Sequence, residues 1–376
     1  MRIITAGESH GECETAILEG FPKGVRISKD KINEELFRRM SGYGRGARME
    51  IEKDAVAVLS GMRNGMTLGS PITMQVKNYD HRIFDDKDDK QKRLTVPRPA
   101  HADLPGLLKY GANDVRDILE RSSARETVAR VCAGSVCKQF LDVFDIKIRS
   151  FTVSIGSVLS DVLPKNINEI ISKTGKSELN TIDPVCERKF ISEIDKAKKN
   201  KDSIGGIIEI WAQGVCAGLG SFMHYDRRLD AALAGYLMGI PGIKGVEIGA
   251  GFDYSKGLGS KMHDEIFYSN KKGFYKRTNH SGGIDGGMSN GNIIICRIAM
   301  KPIATLMKPL SSVDIDVMKK RNAVIERSDT CAVAACGVIA ESMIAIAIVE
   351  KFLDKFGTDN LIEIKKAYNS YIKNFR

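Results

Sequence analysis

The sequence predicts an α+β fold in which antiparallel sheets pack around helices of small residues. Strand-like and helix-like segments do not alternate regularly along the chain. No Gly-x-Gly-x-x-Gly opens a helix after the first strand, which argues against a doubly wound parallel sheet. Two of the helical stretches are rich in Ala, Gly, Cys and Val. No Pro/Ser-rich linker divides the chain, so residues 1–376 read as one domain.

Ile3-Ile4 reads as a short strand running into the bend Gly7-Glu8-Ser9-His10-Gly11. Residues 28–40 place Ile32, Leu36, Phe37 and Met40 on one side of an amphipathic helix. A glycine-arginine loop follows at 41–48, then strands at 55–59 and 72–76. Residues 84–93 are too polar to pack and read as a mobile loop. Helical patterning covers 123–140, and strands are expected at 148–158 and 207–217 with a polar helical section, 166–201, between them. Further along come a helix at 229–238, a strand at 246–248, a glycine-rich loop at 279–291 and a strand at 293–300. A long buried helix at 331–352 and a helical tail end the chain. Arg121-Ser122 and Arg327-Ser328 each lead into an Ala/Cys/Val-rich helix with two cysteines five apart. This echo fits a duplicated half, and equally a chance likeness of Ala-rich helices.

The hydrophobic fraction of 43% against 28% charged allows a sizeable core. The net charge of +10 points to an anionic partner, although the lysines of 196–201 and 319–321 read as solvated faces. None of the eight cysteines forms a Cys-x-x-Cys pair or sits at zinc spacing with a His. They are expected to be reduced core thiols, as in a cytoplasm, with no metal. The apolar run 331–349 contains Glu341 and Ser342 and reads as a buried helix rather than a membrane span.

Chemistry concentrates in a few segments. His10 lies on a glycine-flanked bend and His101 on a second, Arg98-Pro99-Ala100-His101-Ala102-Asp103, where each could move protons near neutral pH. Ser123 and Glu126 have capping-box spacing, which would set Arg121, Ser122 and Ser123 at a helix N-terminus suited to phosphate. Arg38, Arg39, Arg45 and Arg48 surround a flexible loop and can clamp carboxylates or phosphates. The competing reading is an RGG-like RNA element, for which only Tyr43 supplies an aromatic platform. The glycines of 282–291 allow close approach to a flat or phosphorylated ligand, or form a plain surface loop. Ser328 or Asp329 reads as the N-cap of the last buried helix, with proton acceptor as the other reading of Asp329.

Taken in order, these segments resemble the chorismate synthase family. The resemblance runs from Gly7 to about Glu341, through Gly7-Glu8-Ser9-His10-Gly11 to Glu19-Gly20-Phe21-Pro22, Arg121-Ser122-Ser123-Ala124-Arg125-Glu126-Thr127 to Ala133-Gly134, and Arg327-Ser328-Asp329 to Glu341. Ala100 stands where the family usually has Gly, Thr330 where Pro or Val is common, and residues 117–120 replace a glycine-rich run.

The resemblance implies a β-α-β sandwich, with helices between two antiparallel sheets, assembled as a homotetramer. It implies a lyase that converts 5-enolpyruvylshikimate 3-phosphate to chorismate and phosphate by 1,4-anti elimination, the last step of the shikimate pathway. Reduced FMN would be required, with NADPH as a reductant for the flavin either on this chain or through a separate reductase. His10 would protonate or steady the flavin, His101 would donate a proton to the leaving phosphate, and Asp329 would help flavin N5 take the ring proton. FMN would be held by Arg121, Ser122, Ser123, Pro241, Gly242, Gly286, Lys301, Pro302, Ile303, Ala304, Thr305 and Arg327. Arg39, Arg45, Arg48, Arg98 and Arg125 would meet the substrate's carboxylates and phosphate. His81, His224, His263 and His280 are given no role. An RNA-binding protein and a flavoprotein oxidoreductase with net hydride transfer are the readings of other classes.

Overall fold

The computed structural model describes residues 1–46, 51–80, 93–271, 273–325 and 328–373. Its first sheet contains β1 (Arg2–Ala6), β2 (Cys13–Glu19), β3 (Val56–Val58) and β4 (Ile72–Lys77), all antiparallel, in the order β1-β2-β4-β3. The second contains β5 (Lys147–Ile155), β6 (Gly206–Gln213), β7 (Ile243–Ile248) and β8 (Ile294–Met300), also antiparallel, in the order β5-β6-β8-β7. A short strand, Val158–Leu159, extends the β5 edge. The principal helices are α1 (Lys29–Met40), α2 (Asp103–Tyr110), α3 (Arg116–Ser122), α4 (Thr127–Asp142), α5 (Ile167–Thr174), α6 (Pro184–Lys199), α7 (Leu229–Met238), α8 (Val333–Phe356) and α9 (Leu361–Lys373).

The layers follow from the burial patterns. β2 alternates buried and half-buried residues, so only one face meets the interior. That face packs on α4, which packs on α8, and α8 packs on β5 and β6 of the second sheet. α1 joins α4 and α8, and α7 joins α8 and β7. The helices therefore lie between two antiparallel sheets, as expected. β5 is almost continuously buried. Its second face is covered by a separate cluster of Phe151, Val153, Ile170, Ile182 and Trp211. α8 is long and apolar enough to cross a membrane, yet its most apolar window is 94% buried within the fold.

The duplication suggested by the two Arg-Ser segments reappears as topology. Each half orders its sheet first-second-fourth-third, inserts a helix between its second and third strands (α1, then α7), and ends in a long helix of small residues (α4, then α8). Those two terminal helices meet at the centre. A Cβ on Gly134 would lie 2.2 Å from the Ser342 Cβ, so glycine is what lets the backbones approach.

The expected helix at 123–140 divides. α3 ends at Ser122, Ala124–Glu126 forms one 3₁₀ turn, and α4 starts at Thr127. The polar section 166–201 is likewise two helices, α5 and α6. Of the expected mobile loop 84–93, only Arg93 lies within the described residues. All eight cysteines are free thiols, seven of them buried. Burial pushes Cys132 up to about 12 and Cys216 up to about 11.

Gly134→Ala is expected to force α4 from α8 and destabilise the fold by about 1–3 kcal/mol. Urea unfolding measures this, and an unchanged midpoint would show that the helix contact yields freely.

Candidate active site

The first histidine bend is held from three directions. Ser9 N–H donates to the Glu120 carbonyl at 3.0 Å. His10 N–H donates to Glu120 Oε2 at 2.8 Å, and His10 Nδ1 lies 2.9 Å from Glu120 Oε1. The buried Asn78 amide donates to the carbonyls of Glu8 (3.1 Å) and Gly11 (2.8 Å). Arg121 reaches back to the carbonyls of Gly7 (3.1 Å) and Thr5 (2.9 Å). With Nδ1 donating to a carboxylate, the ring of His10 is fixed and Nε2 is its free acceptor. One third of the side chain stays accessible.

The segment that follows Glu120 differs from its expected capping geometry. Arg121 and Ser122 are the last residues of α3, and Ser122 Oγ donates to the Ile118 carbonyl at 2.7 Å. Ser123 Oγ accepts from Arg125 N–H and caps the single 3₁₀ turn. Glu126 does not reach back to Ser123. Its carboxylate accepts from Arg130 Nε at 3.0 Å, one helical turn on. No capping box forms, because the i,i+4 pair takes the glutamate and the chain bends between α3 and α4.

Arg39 and Arg125 are both at least 95% buried and meet at Asp54. Arg125 donates to Asp54 Oδ1 and Asn78 Oδ1, each at 2.7 Å. Arg39 donates to Thr127 Oγ1 (3.0 Å) and the Ala124 carbonyl (3.1 Å). Burial pulls Arg39 down to about 10, so it stays charged at neutral pH. Neither guanidinium stands open to solvent. Both brace the wall between α1, α4 and the first sheet.

Arg45 presents itself differently. Its Nε lies 3.2 Å from Asp329 Oδ2, while Asp329 Oδ1 accepts from Gly46 N–H at 2.6 Å. The Thr330 and Cys331 amides both donate to the Gly44 carbonyl. Asp329 is thus bound to the Gly42–Gly46 loop and is not a helix cap. α8 begins at Val333, and the preceding Ala332 offers no side-chain cap. Neither Ser328 nor Asp329 fills the expected capping role, because the chain turns toward Gly44 before the helix starts.

The second histidine lies in a tight cluster. His101 Nδ1 is 2.5 Å from Asp103 Oδ1, and Arg98 Nη2 lies 3.0 Å from the same nitrogen. Asp103 is fully buried at the first turn of α2 and also takes Arg98 N–H (2.9 Å) and Nε (2.8 Å). Although burial opposes ionisation, the bonds from His101 and Arg98 hold this carboxyl well below its usual range. Arg98 Nη1 continues to Thr305 Oγ1 at 3.2 Å, and Lys301 Nζ donates to the Ala100 carbonyl. Lys301 N–H donates to the Gly242 carbonyl at 2.9 Å. Pro241-Gly242, Lys301–Thr305 and Arg98–Asp103 are therefore one assembly, and its Arg98–His101 side lines a cavity of about 630 Å³ with Leu104 and Ser312.

Gly286 lies apart from these groups, on the small hairpin of Ile284–Asp285 and Met288–Ser289 that packs on Gly220 and Leu229. Open space surrounds it where a Cβ would stand. Arg48 and Arg327 lie outside the described residues, as does His81. Sequence reasoning assigned nothing to Glu120, Asp103, Asn78 or Asp54. Asp103 had a local signal, two residues beyond His101. Glu120 had none, since 110 residues separate it from His10.

Two histidines, each held by a buried carboxylate near arginine, lysine and serine donors, give the chain groups that can move protons beside donors for anionic ligands, the equipment of an acid–base enzyme. A family model described as "Chorismate synthase" matches residues 1–353. "Chorismate synthase" of Alkaliphilus metalliredigens is 50% identical over 98% of this chain and 99% of its own. "Chorismate synthase 2" of Bacillus cereus is 48% identical over the full length of both. A solved structure titled "Crystal Structure of Chorismate Synthase" superposes with a TM-score of 0.82 at 40% identity, covering 100% of this chain and 98% of that one. The chain belongs to the chorismate synthase family, lyases that catalyse the last step of the shikimate pathway.

Ala100 has φ +62°, a left-handed conformation that costs an L-residue about 1–2 kcal/mol. Ala100→Gly is therefore expected to raise stability by about 0.5–1 kcal/mol, after allowing for the greater freedom of unfolded glycine. Chemical denaturation checks the sign, and a loss of stability would mean that the bend prefers the alanine methyl.

Proposed function

We propose that the chain converts 5-enolpyruvylshikimate 3-phosphate to chorismate and phosphate by 1,4-anti elimination, with reduced FMN bound and no net oxidation or reduction. The observation that carries this reading is the His101–Asp103–Arg98 cluster. It sets a proton-carrying imidazole beside cationic donors, as departure of a phosphate requires.

The donor set suits a phosphorylated flavin. Arg121 keeps 43% of its side chain exposed. Ser122, Ser123 and Thr305 supply hydroxyls, Lys301 supplies an ammonium, and Gly242 at φ +90° leaves a side-chain-free edge beside Pro241. By the family resemblance Pro302, Ile303 and Ala304, which follow Lys301, are assigned to the same flavin, as are Gly286, in open space on its separate hairpin, and Arg327, outside the described residues. When bound, reduced FMN supplies transient electron density to the substrate.

The chain's own residues hold and move protons. His101 donates a proton to the departing phosphate oxygen, and Asp103 fixes its ring. His10, fixed by Glu120, presents Nε2 and steadies the reduced cofactor. Asp329 supplies a carboxylate toward which the ring proton leaves, with Gly46 N–H and Arg45 orienting it. Elimination breaks one C–H and one C–O bond, forms one C=C bond and releases one proton and phosphate, so electrons balance. Arg45 and Arg48 meet the substrate's carboxylates and phosphate directly, and Arg98, buried and held by Asp103 and Thr305, adds positive charge beside His101. Arg39 and Arg125 add positive charge from beneath, and contact with substrate requires exchange of the Asp54 and Glu52 carboxylates that hold them.

The whole chain, residues 1–376, acts as one domain in the cytoplasm. A homotetramer would cover exposed apolar residues such as Phe222, Met223 and Tyr225. NADPH serves as a reductant for the flavin, from this chain or a separate reductase. An anaerobic assay with chemically reduced FMN tests the proposal. Chorismate and phosphate should appear together in equal amounts. Consumption of NADPH in step with product would favour net hydride transfer instead.

His101→Ala is expected to lower kcat by roughly two to four orders of magnitude. The fold should persist, because Arg98 still satisfies Asp103; a normal rate would remove His101 from the mechanism. Asp329→Asn keeps an acceptor for Gly46 N–H but loses the charge facing Arg45. Melting should shift little while turnover with reduced FMN falls steeply, and normal turnover would show that the proton leaves by another route.

A further inference from the structure

Glu14 occupies a core position. It projects from β2 on the same face as Ala16 and Leu18, and its side chain has no accessible surface. Neither carboxylate oxygen has a hydrogen-bond partner among the described residues. The nearest ion-pair partner is Arg121, whose Nη1 lies 3.8 Å from Oε2. That separation permits attraction but is too long for a hydrogen bond. Arg121 gives its donors instead to the carbonyls of Gly7 and Thr5 and to Thr5 Oγ1. Gly7, at φ +132°, makes room for the carboxylate, since a Cβ there would lie 2.6 Å from Oε2. The other charged groups facing Glu14 are Arg125, Glu126 and Glu8. Arg125 is already held by Asp54, Glu52 and Asn78, and Glu126 by Arg130.

We propose that Glu14 is a positioning residue that controls, by taking up or releasing one proton, how strongly Arg121 and the Gly7–Gly11 bend hold a phosphate-bearing ligand. Neutral Glu14 leaves the charge of Arg121 directed outward. Ionised Glu14, buried beneath it, offsets that charge and draws the guanidinium inward. Binding of a phosphate monoester therefore favours protonation of Glu14, and affinity falls as Glu14 ionises. Burial raises Glu14 to about 7, against the opposing pull of Arg121 and Arg125, so the change falls near neutral pH. The phosphate of FMN loses its second proton near pH ~6. That trend has the opposite sign and is nearly complete by neutral pH.

The proposal rests on the reading that Arg121 contacts FMN, and the test separates the two. FMN is titrated into the full chain at pH 6.5 and 8.5, for the natural sequence and for Glu14→Gln. The natural chain should bind about three- to tenfold more weakly at pH 8.5, a coupling of up to one pK unit. Glu14→Gln should lose that dependence and keep the tighter affinity. Calorimetry at pH 7 in two buffers of different ionisation enthalpy should show a fraction of a proton taken up by the natural chain on binding. Equal pH dependence in both proteins, or no proton uptake, overturns the role of Glu14 alone. If Glu14→Gln does not fold, proton uptake by the natural chain decides. Absence of FMN binding at either pH overturns the flavin reading and this proposal with it.

Discussion

One buried carboxylate fixes how the layers meet. Glu341, on α8, has no accessible surface. It accepts from Arg38 Nη1 (2.9 Å) and Nη2 (2.7 Å) on α1, Lys138 Nζ (2.5 Å) on α4, and Ser150 N–H (2.9 Å) and Oγ–H (2.7 Å) on β5. Arg38 and Lys138 hold it ionised well below the ordinary carboxylate range despite complete burial. A charge taken from water into a protein interior costs several kcal/mol unless its lone pairs are satisfied. Glu341 is satisfied only when α1, α4, α8 and β5 are all in place. Apolar packing tolerates sliding, whereas this arrangement of donors fixes the rotation of α1 and the height of α8.

The site depends on that rotation. Arg38 points to Glu341, so Arg39, about 100° further round the helix, points to Asp54, Thr127 and the Ala124 carbonyl. The chain then leaves α1 as the loop that carries Arg45 to Asp329, four residues before α8. Both ends of the Arg45–Asp329 pair are thus anchored in helices that Glu341 joins. The repeated topology has the same effect. The segments entering α4 and α8 carry Arg121–Arg125 and Asp329, and α4 and α8 cross at Gly134 and Ser342. Two equivalent stretches of the halves are brought near one another by the packing of the helices that follow them.

The parts of the fold that repeat with a clear period were legible in sequence. α1, α7, α8, β4 and β8 lie within a few residues of their expected limits, because each has one apolar face or is apolar throughout. The break at Ser123 was not legible, since Ala124-Arg125-Glu126 has helical composition. What bends the chain is tertiary: Arg125 turns inward to Asp54 and Asn78. The caps failed for a similar reason. Ser-x-x-Glu and Ser-Asp before an apolar run are local signals, and another partner took each acid: Arg130, one helical turn on, for Glu126, and the distant Gly46 amide with Arg45 for Asp329. The arginines were legible as a set but not in their placement, because composition does not reveal which guanidinium meets a buried acid.

The two histidines show where sequence reading stops. His101 finds its carboxylate two residues away, on the first turn of α2, so bend and partner form one local unit that Arg98 closes. His10 finds its carboxylate at Glu120, brought there only when α3 docks on the loop between β1 and β2. The local pair needs little beyond the turn itself and the burial of Asp103. The distant pair needs the first sheet, α3, the Asn78 brace and Arg121 assembled together. Both end in the same arrangement, with Nδ1 held by a buried carboxyl group and Nε2 as the remaining ring nitrogen. That shared outcome, reached by a short-range and a long-range route, indicates that the orientation of the imidazole is the constraint the site is built around, and that the chain segment supplying it is secondary.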